Sequence, residues 1–284
     1  MSENDRNLVW FVTGCSRGLG LALSREILSR GDRLVATARK PAELEPLRAE
    51  GGEQVLCLGL DVTDPGSIGK AVDAAEEWSG GIDVLVNNAG HGMHGAVEEV
   101  SDADGRRLFD VNVFGLLAVM RAVLPGMRGR RRGHVVNMSS VSGHVGGAGT
   151  GLYSATKFAV EGLSEAMSHE VGTLGIGVTI VAPGPFRTDF NGSSVAVVGG
   201  TIGDYEESST QRAAKLRAGS GRQAGDPAKA ASVLYDAVTA PSPPLHLVLG
   251  QQAYQRVQEK YQSLQQDMDA WRGPATQTDF DAQG

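Results

Sequence analysis

Tyr153-Ser154-Ala155-Thr156-Lys157 sets a phenol and an ammonium four residues apart, hence on one face if the segment is helical. A free phenol titrates at about 10, too high for easy proton exchange at neutral pH. A lysine held beside it favours the phenolate and draws that value down, so the pair can act as general acid/base on a carbonyl or an alcohol. That spacing is common on solvated helix faces, so context has to decide. Asn137-Met138-Ser139-Ser140 brings hydroxyls to the end of an apolar run thirteen residues before Tyr153. A second chemical feature is Thr13-Gly14-Cys15-Ser16-Arg17-Gly18-Leu19-Gly20. Its glycines permit a tight turn and close backbone approach, and a helix starting there offers unpaired N–H groups to a pyrophosphate.

These residues must be positioned by an alternation of short β-branched runs and longer helical patterns. Leu8–Val12, Arg33–Thr37, Val55–Leu60, Asp83–Val86, His134–Asn137, Val178–Val181 and Leu245–Leu249 read as strands. Helices are predicted from Leu21 to Leu28, closed by Gly31, then from Pro41 to Glu50 and from Pro65 to Trp78. Further helices run from a Ser101-Asp102 cap through Leu124, from Tyr153 to Leu174, onward from Pro227, and from Gln251 to Trp271. Strands joined by helices of this length imply an α/β fold, a doubly wound parallel sheet of about seven strands with both faces covered. Neither an internal repeat nor a second-domain boundary interrupts the pattern, so 1–284 is read as one domain. Between 191 and 226 the periodicity dissolves into Gly, Ser and Thr around a short amphipathic piece, Gln211 to Leu216, and the segment is expected to be a substrate lid. The end of the chain, 273–284, is expected to fray.

The glycine spacing differs from the usual dinucleotide fingerprint. It resembles instead that of the short-chain dehydrogenase/reductase family. Three further stretches are similar to family segments: Asn87-Asn88-Ala89-Gly90, Leu60-Asp61-Val62, whose Asp holds the adenine in the family, and Pro183-Gly184 followed by Thr188, which faces the nicotinamide carboxamide there. All lie at C-terminal ends of predicted strands, where an open parallel sheet binds its ligand. The likeness runs from Leu8 to Thr188.

That resemblance implies hydride exchange between a nicotinamide dinucleotide and a carbonyl/secondary-alcohol pair. It assigns Tyr153 as general acid/base, Lys157 to the phenol and to the nicotinamide ribose, Ser140 to the substrate oxygen, and Asn112 to a helix position holding a water linked to the lysine. Cofactor contacts are implied for Gly14, Ser16, Arg17, Gly18, Leu19, Gly20, Arg39, Asp61, Val62, Asn88, Ala89, Gly90, Tyr153, Lys157, Pro183, Gly184, Phe186 and Thr188. In NAD-binding members the second strand ends in an Asp; here it reads Thr37-Ala38-Arg39-Lys40. Arg39, with Arg17 opposite, can pair with a 2′-phosphate, which favours NADP(H). His94, His144, Phe186 and Phe190 are candidate substrate residues, with Tyr205 near an apolar lid. The histidines have no matching acid or Cys cluster, so no metal is expected.

The net charge of −7 speaks against nucleic acid and anionic membranes as partners. Arg128 to Arg132 reads as a solvated loop end. Two cysteines without a framework point to free thiols and a cytoplasmic location. Met1 to Asn7 has no signal-peptide character, and no apolar stretch approaches bilayer length. The expected partner is a small carbonyl or alcohol, in a homodimer or homotetramer of the kind family members build through their long helices. Two alternatives stay open: a reductase of a carrier-bound β-ketoacyl group, and a non-catalytic cofactor-sensing protein.

Overall fold

The computed structural model describes residues 7–192 and 194–280. Its centre is a seven-stranded, all-parallel sheet in the order β3-β2-β1-β4-β6-β7-β9. The strands are β1 (Val9–Val12), β2 (Arg33–Ala38), β3 (Val55–Gly59), β4 (Val84–Asn87), β6 (Gly133–Met138), β7 (Ile176–Pro183) and β9 (His246–Leu249). Connections run outward in both directions from β1 and β4, so a crevice opens between their C-terminal ends.

Alternation along each strand feeds two cores. Trp10, Val12, Leu34, Ala36, Val84 and Val86 face α1 (Gly18–Ser29), α2 (Glu45–Gly51) and α8 (Pro227–Thr239). Val9, Phe11, Val35, Leu85 and Val135 face α3 (Pro65–Ser79), α5 (Leu116–Arg130) and α6 (Gly151–Val171). A strand covered on both faces has no solvent side, which is why these runs read as continuously apolar. Pro65 and Pro227 each stand at a helix start behind an aspartate cap: Asp64 accepts from the Gly66 N–H and Asp226 from the Ala228 N–H.

One buried carboxylate ties the sheet to α8. Asp32 accepts from the Leu8 N–H (2.8 Å), the Trp10 indole (2.8 Å) and the Tyr235 hydroxyl (2.9 Å), while Trp10 and Tyr235 stack with centroids 5.3 Å apart. Replacing Asp32 by Ala strands these donors, and a loss of about 2–3 kcal/mol is expected in urea unfolding. A loss below about 0.5 kcal/mol, the range of ordinary surface changes, would show that the network adds little.

Three expectations need correction. Residues 191–226 carry regular elements where the sequence shows no periodicity: β8 (Val195–Val197) pairs in parallel with β5 (Gly92–His94), and helical turns lead into α7 (Gln211–Ala218). The short strand was hidden because its partner is distant in sequence and only three residues long. The last helix, α9 (Gln251–Ala275), passes through Gly273 and Pro274, inside the stretch expected to fray; 281–284 lie outside the described residues. Finally, α4 (Asp102–Phe109), a π turn at Asp110–Gly115 and α5 form one helix from Asp102 to Arg130. By length and composition it is apolar enough to cross a membrane, its most apolar 18 residues having a mean hydropathy of 1.6. Here its apolar side, with Val119, Val123 and Met127, is packed into the second core.

Candidate active site

The loop after β1 is shaped by backbone constraints. Gly14 and Gly18 adopt left-handed conformations, with φ of +75° and +62°. A Cβ on Gly20 would lie 2.3 Å from the Gly14 carbonyl oxygen and 2.4 Å from Asn88 Nδ2, so only glycine fits. The loop is stapled to the end of β4: Asn88 Nδ2 donates to Thr13 O (2.8 Å) and Gly14 O (3.0 Å). Thr13 Oγ1 accepts from the Asn88 and Ala89 N–H groups, both at 2.9 Å. Thr13 is thus a structural member of the site that motif reading passed over. Its signal was the hydroxyl immediately before the first glycine.

Above this loop lies a cavity of ≈ 1090 Å³, running across the strand ends from β3 to α9. It is lined by Gly14, Ser16, Arg17, Gly18 and Leu19, by Arg39, Asp61 and Val62, by Asn88, Ala89 and Gly90, and by Pro183, Gly184, Phe186 and Thr188. A dinucleotide fits this donor set: a glycine cradle that a Cβ would fill, the N-terminus of α1, and polar ends at both extremes. Gly20 stands behind the lining as packing. At the β3 end, Asp61 is held below the usual carboxylate range, first by the Thr63 N–H (2.9 Å), then by the Thr63 hydroxyl and the nearby Arg39 charge. Arg39, Lys40 and Arg17 all border this end, while the nearest lining acid after β2 is Glu43.

At the other end Ser140, Tyr153 and Lys157 share one wall. Ser140 follows β6, where its Oγ accepts from the Ser142 N–H at 3.1 Å, and its side chain neighbours Tyr153 on the same wall. The Tyr153 ring packs at 5.9 Å, centroid to centroid, against Phe190. Lys157 is buried; its Nζ donates to Met138 O at 2.7 Å and sits 5.8 Å from the Tyr153 ring centroid. Burial pushes the phenol up to about 12, against the Ser140 hydroxyl, which acts downward. Burial likewise pulls Lys157 down to about 8, with Glu161 acting in the other direction. The expected lowering of the phenol by the lysine is absent in this arrangement, where the ammonium donates to the Met138 carbonyl.

Asn112 sits in the π turn, 2% exposed, and is not part of the cavity wall. Its amide donates to His91 O (2.9 Å) and Thr156 Oγ1 (3.2 Å), and its oxygen accepts from the His91 N–H (3.0 Å). It clamps the β4 turn to α6, next to Lys157 in sequence terms through Thr156.

Among the substrate candidates, His94 and Phe190 line the cavity. Phe186 lines it too, but as part of the first core, with its ring against Gly225 and Gly250. His144 does not reach the cavity: it turns to Glu161 (Nε2 to Oε1, 3.3 Å) and Tyr261 (Nδ1 to OH, 3.3 Å). A histidine in a pliable glycine loop can face either way, and the buried acid on α6 wins it. Tyr205 hydrogen-bonds Glu98 at 2.5 Å, away from the main cavity. Residues that sequence reading missed are Arg212 and Leu216 on α7, Gln252 and Arg256 on α9, and the buried Glu161. Only the spacing of Glu161, one turn beyond Lys157, hinted at its place.

A family model described as short chain dehydrogenase matches residues 8–197. The chain belongs to this family. As a short-chain dehydrogenase it is an oxidoreductase acting on CH–OH or carbonyl groups with NAD(P). It is 37% identical over 266 residues to Oxidoreductase BOA17 of Botryotinia fuckeliana, covering 93% of this chain and 96% of that one. It is 35% identical to a 3-ketodihydrosphingosine reductase of Bacteroides thetaiotaomicron, over 84% of this chain and 86% of the relative. A short-chain dehydrogenase from Streptomyces avermitilis superposes with a TM-score of 0.91 at 38% identity, over 98% of this short-chain dehydrogenase and 100% of that structure.

Proposed function

We propose that this short-chain dehydrogenase interconverts a carbonyl and a secondary alcohol with NADP(H), with Tyr153 as general acid/base. The observation that carries the reading is the gathering of Ser140, Tyr153 and buried Lys157 on one cavity wall. Bound dinucleotide supplies or accepts the hydride at the carbonyl carbon. The chain's own groups handle the oxygen. Ser140 donates a hydrogen bond to the carbonyl oxygen, and the Tyr153 hydroxyl protonates that oxygen as negative charge develops on it. Lys157, as an ammonium, stabilises the phenolate left behind. A phenol raised to about 12 is protonated at neutral pH, which suits donation to a carbonyl. In the oxidation direction the phenolate is the base, and Lys157 must be charged to favour it.

The pH dependence follows from Lys157. Its charged form persists below about 8 and is lost above it, so reduction is expected to fall as pH rises through that value. Glu161 favours the ammonium; Glu161→Gln removes that help and is expected to move the alkaline limb to lower pH. A kcat profile with the limb unmoved or shifted upward would count against this role of Glu161.

NADP(H) is favoured because β2 ends in Ala38-Arg39-Lys40, with Arg39 and Arg17 bordering the cavity. An exposed guanidinium–phosphate contact is worth about 1.5 kcal/mol, or roughly tenfold in affinity. Arg39→Ala is expected to raise KM for NADPH by that factor and to leave NADH nearly unaffected. Equal losses for both would remove the 2′-phosphate argument. The full reading is tested by NADPH oxidation against a panel of ketones, and absence of turnover on all of them would overturn it. The exposed Phe114 (58%) and Phe158 (46%) on the long helices support a homo-oligomer paired there, and the two buried free thiols support a reducing, cytoplasmic setting.

A further inference from the structure

Two arginines brought by different elements meet over the catalytic end of the cavity. Arg212 comes from α7 and Arg256 from α9; both are half-buried and both line it. Their position is fixed relative to the reacting groups. The Arg212 guanidinium lies on Gly147, where a Cβ would come within 2.6 Å of its Nη2, and Gly147 belongs to the loop joining Ser140 to Tyr153. Arg256 is flanked by Ala253 and Val257, which pack on Val141, the residue after Ser140. Arg17, Arg39 and Lys40 belong instead to the glycine loop and the end of β2.

Neither guanidinium makes an ion pair or a hydrogen bond among the described residues. The acids lining the cavity are Glu43 and Asp61 near β2 and β3, and Asp189 beside Thr188; none pairs with either arginine. Burial, then the Arg212 charge, lowers the Arg256 pKa, with Glu259 acting weakly the other way. Two like charges sharing a half-enclosed wall cost energy that an anion between them would return. Near Arg212, His94 is 5% exposed and lines the same cavity, with its Nδ1 lacking any hydrogen-bond partner. Burial first, then the charges of Arg212 and Arg217, favour its neutral form, so it can donate to or accept from a ligand without adding charge.

We propose that Arg212, Arg256 and His94 form a subsite for an oxyanion group, carboxylate or phosphate, carried by the substrate some bonds away from its reacting carbonyl. The inference deepens the proposed carbonyl chemistry and rests on that reading for the location of the reacting end. A charge-assisted contact from each of two partly buried arginines should give an anionic substrate at least about a tenfold advantage in kcat/KM over its neutral counterpart.

The test uses the full chain with NADPH and matched pairs of ketones. One arm compares keto acids, with the carboxylate two to six carbons from the carbonyl, against their methyl esters. The other compares keto-alcohol phosphate monoesters with the parent keto-alcohols, which separates the two oxyanion sources. Each is run on the parent, Arg212→Gln, Arg256→Gln and the double variant, with calorimetric binding of the same compounds alongside turnover. Expected is an anion preference in at least one arm that shrinks in each single variant and collapses in the double one, while KM for NADPH stays close to the parent value. Equal kcat/KM for acid, phosphate and neutral forms would overturn the subsite while leaving the carbonyl chemistry standing. A rise in KM for NADPH with no loss of anion preference would also overturn it, assigning the arginines to the dinucleotide. Arginine-dependent binding of the anions without turnover would uphold the subsite and sink the carbonyl reading instead.

Discussion

Tyr153→Phe is expected to abolish carbonyl turnover while leaving NADPH binding nearly intact. The substitution removes one hydroxyl and retains the ring that packs 5.9 Å from Phe190, so the cavity wall and the fold survive. What disappears is the proton donor that shares the cavity wall with Ser140. Ser140 can still polarise a carbonyl, but its own hydroxyl is bound into the turn through the Ser142 N–H and has no ammonium behind it. Lys157 cannot substitute, because its Nζ is held on Met138 O. Loss of a positioned general acid costs about 10²–10⁴ in rate. The measurement is single-turnover NADPH oxidation with the best ketone, together with a dissociation constant for NADPH from fluorescence titration. Residual turnover within about tenfold of the parent would remove Tyr153 from the proton transfer. A parallel collapse of NADPH binding would show that the hydroxyl is structural rather than chemical.

The second large effect is expected from Gly20→Ala, a change invisible to any inventory of reactive groups. The added methyl would sit 2.3 Å from the Gly14 carbonyl oxygen and 2.4 Å from Asn88 Nδ2. Neither neighbour can yield cheaply. Gly14 O is backbone, and Asn88 is committed to Thr13 O and Gly14 O. Overpacking of this kind costs about 1–3 kcal/mol. For a chain of this size that is a fall in Tm of roughly 2–10 °C. Relief of the clash must also push the loop outward from the start of α1, so dinucleotide affinity should fall by at least about tenfold, the factor that 1.4 kcal/mol represents. Gly162→Ala is the control. Gly162 lies in α6 with nothing within 4 Å of an added Cβ, so that change should be neutral or mildly stabilising. If Gly20→Ala keeps the parental Tm and NADPH affinity, the loop is not the rigid cradle its geometry describes.

These two cases differ in how they were legible. Tyr153 and Lys157 stand out as a pair because helix periodicity translates spacing directly into a shared face. The strands behaved similarly: a run buried on both faces needs continuous apolar residues whatever it packs against, and all seven sheet strands fell where such runs occur. The exceptions were long-range in origin. β8 is a strand only because Gly92–His94 offers it an edge, some hundred positions earlier in the chain. The helix from Asp102 to Arg130 is hydropathic enough to pass for a membrane span, and only the sheet beneath it shows where that apolar side goes. His144 and His94 illustrate the same limit. Both lie close to glycines and both read as plausible lining residues, yet one is captured by Glu161 and the other faces the cavity. Side-chain direction in short segments depends on partners that sequence does not reveal.

By itself the sequence determined the α/β architecture, the glycine loop and the strand-end residues that gather around a dinucleotide-sized crevice, and the Tyr153–Lys157 pair. Each of these is local: periodicity, turn chemistry and helical spacing act over a few residues and need no knowledge of what lies across the sheet. Only the tertiary structure decided what surrounds them. It placed Lys157 on Met138 O rather than on the phenol, put Asn112 behind the wall as a clamp, and buried Glu161 under the lysine. It also drew Arg212 and Arg256 from segments more than forty positions apart onto one end of the cavity. Burial and charge neighbourhood are properties of the packed chain, and those are what set proton affinities and substrate preference.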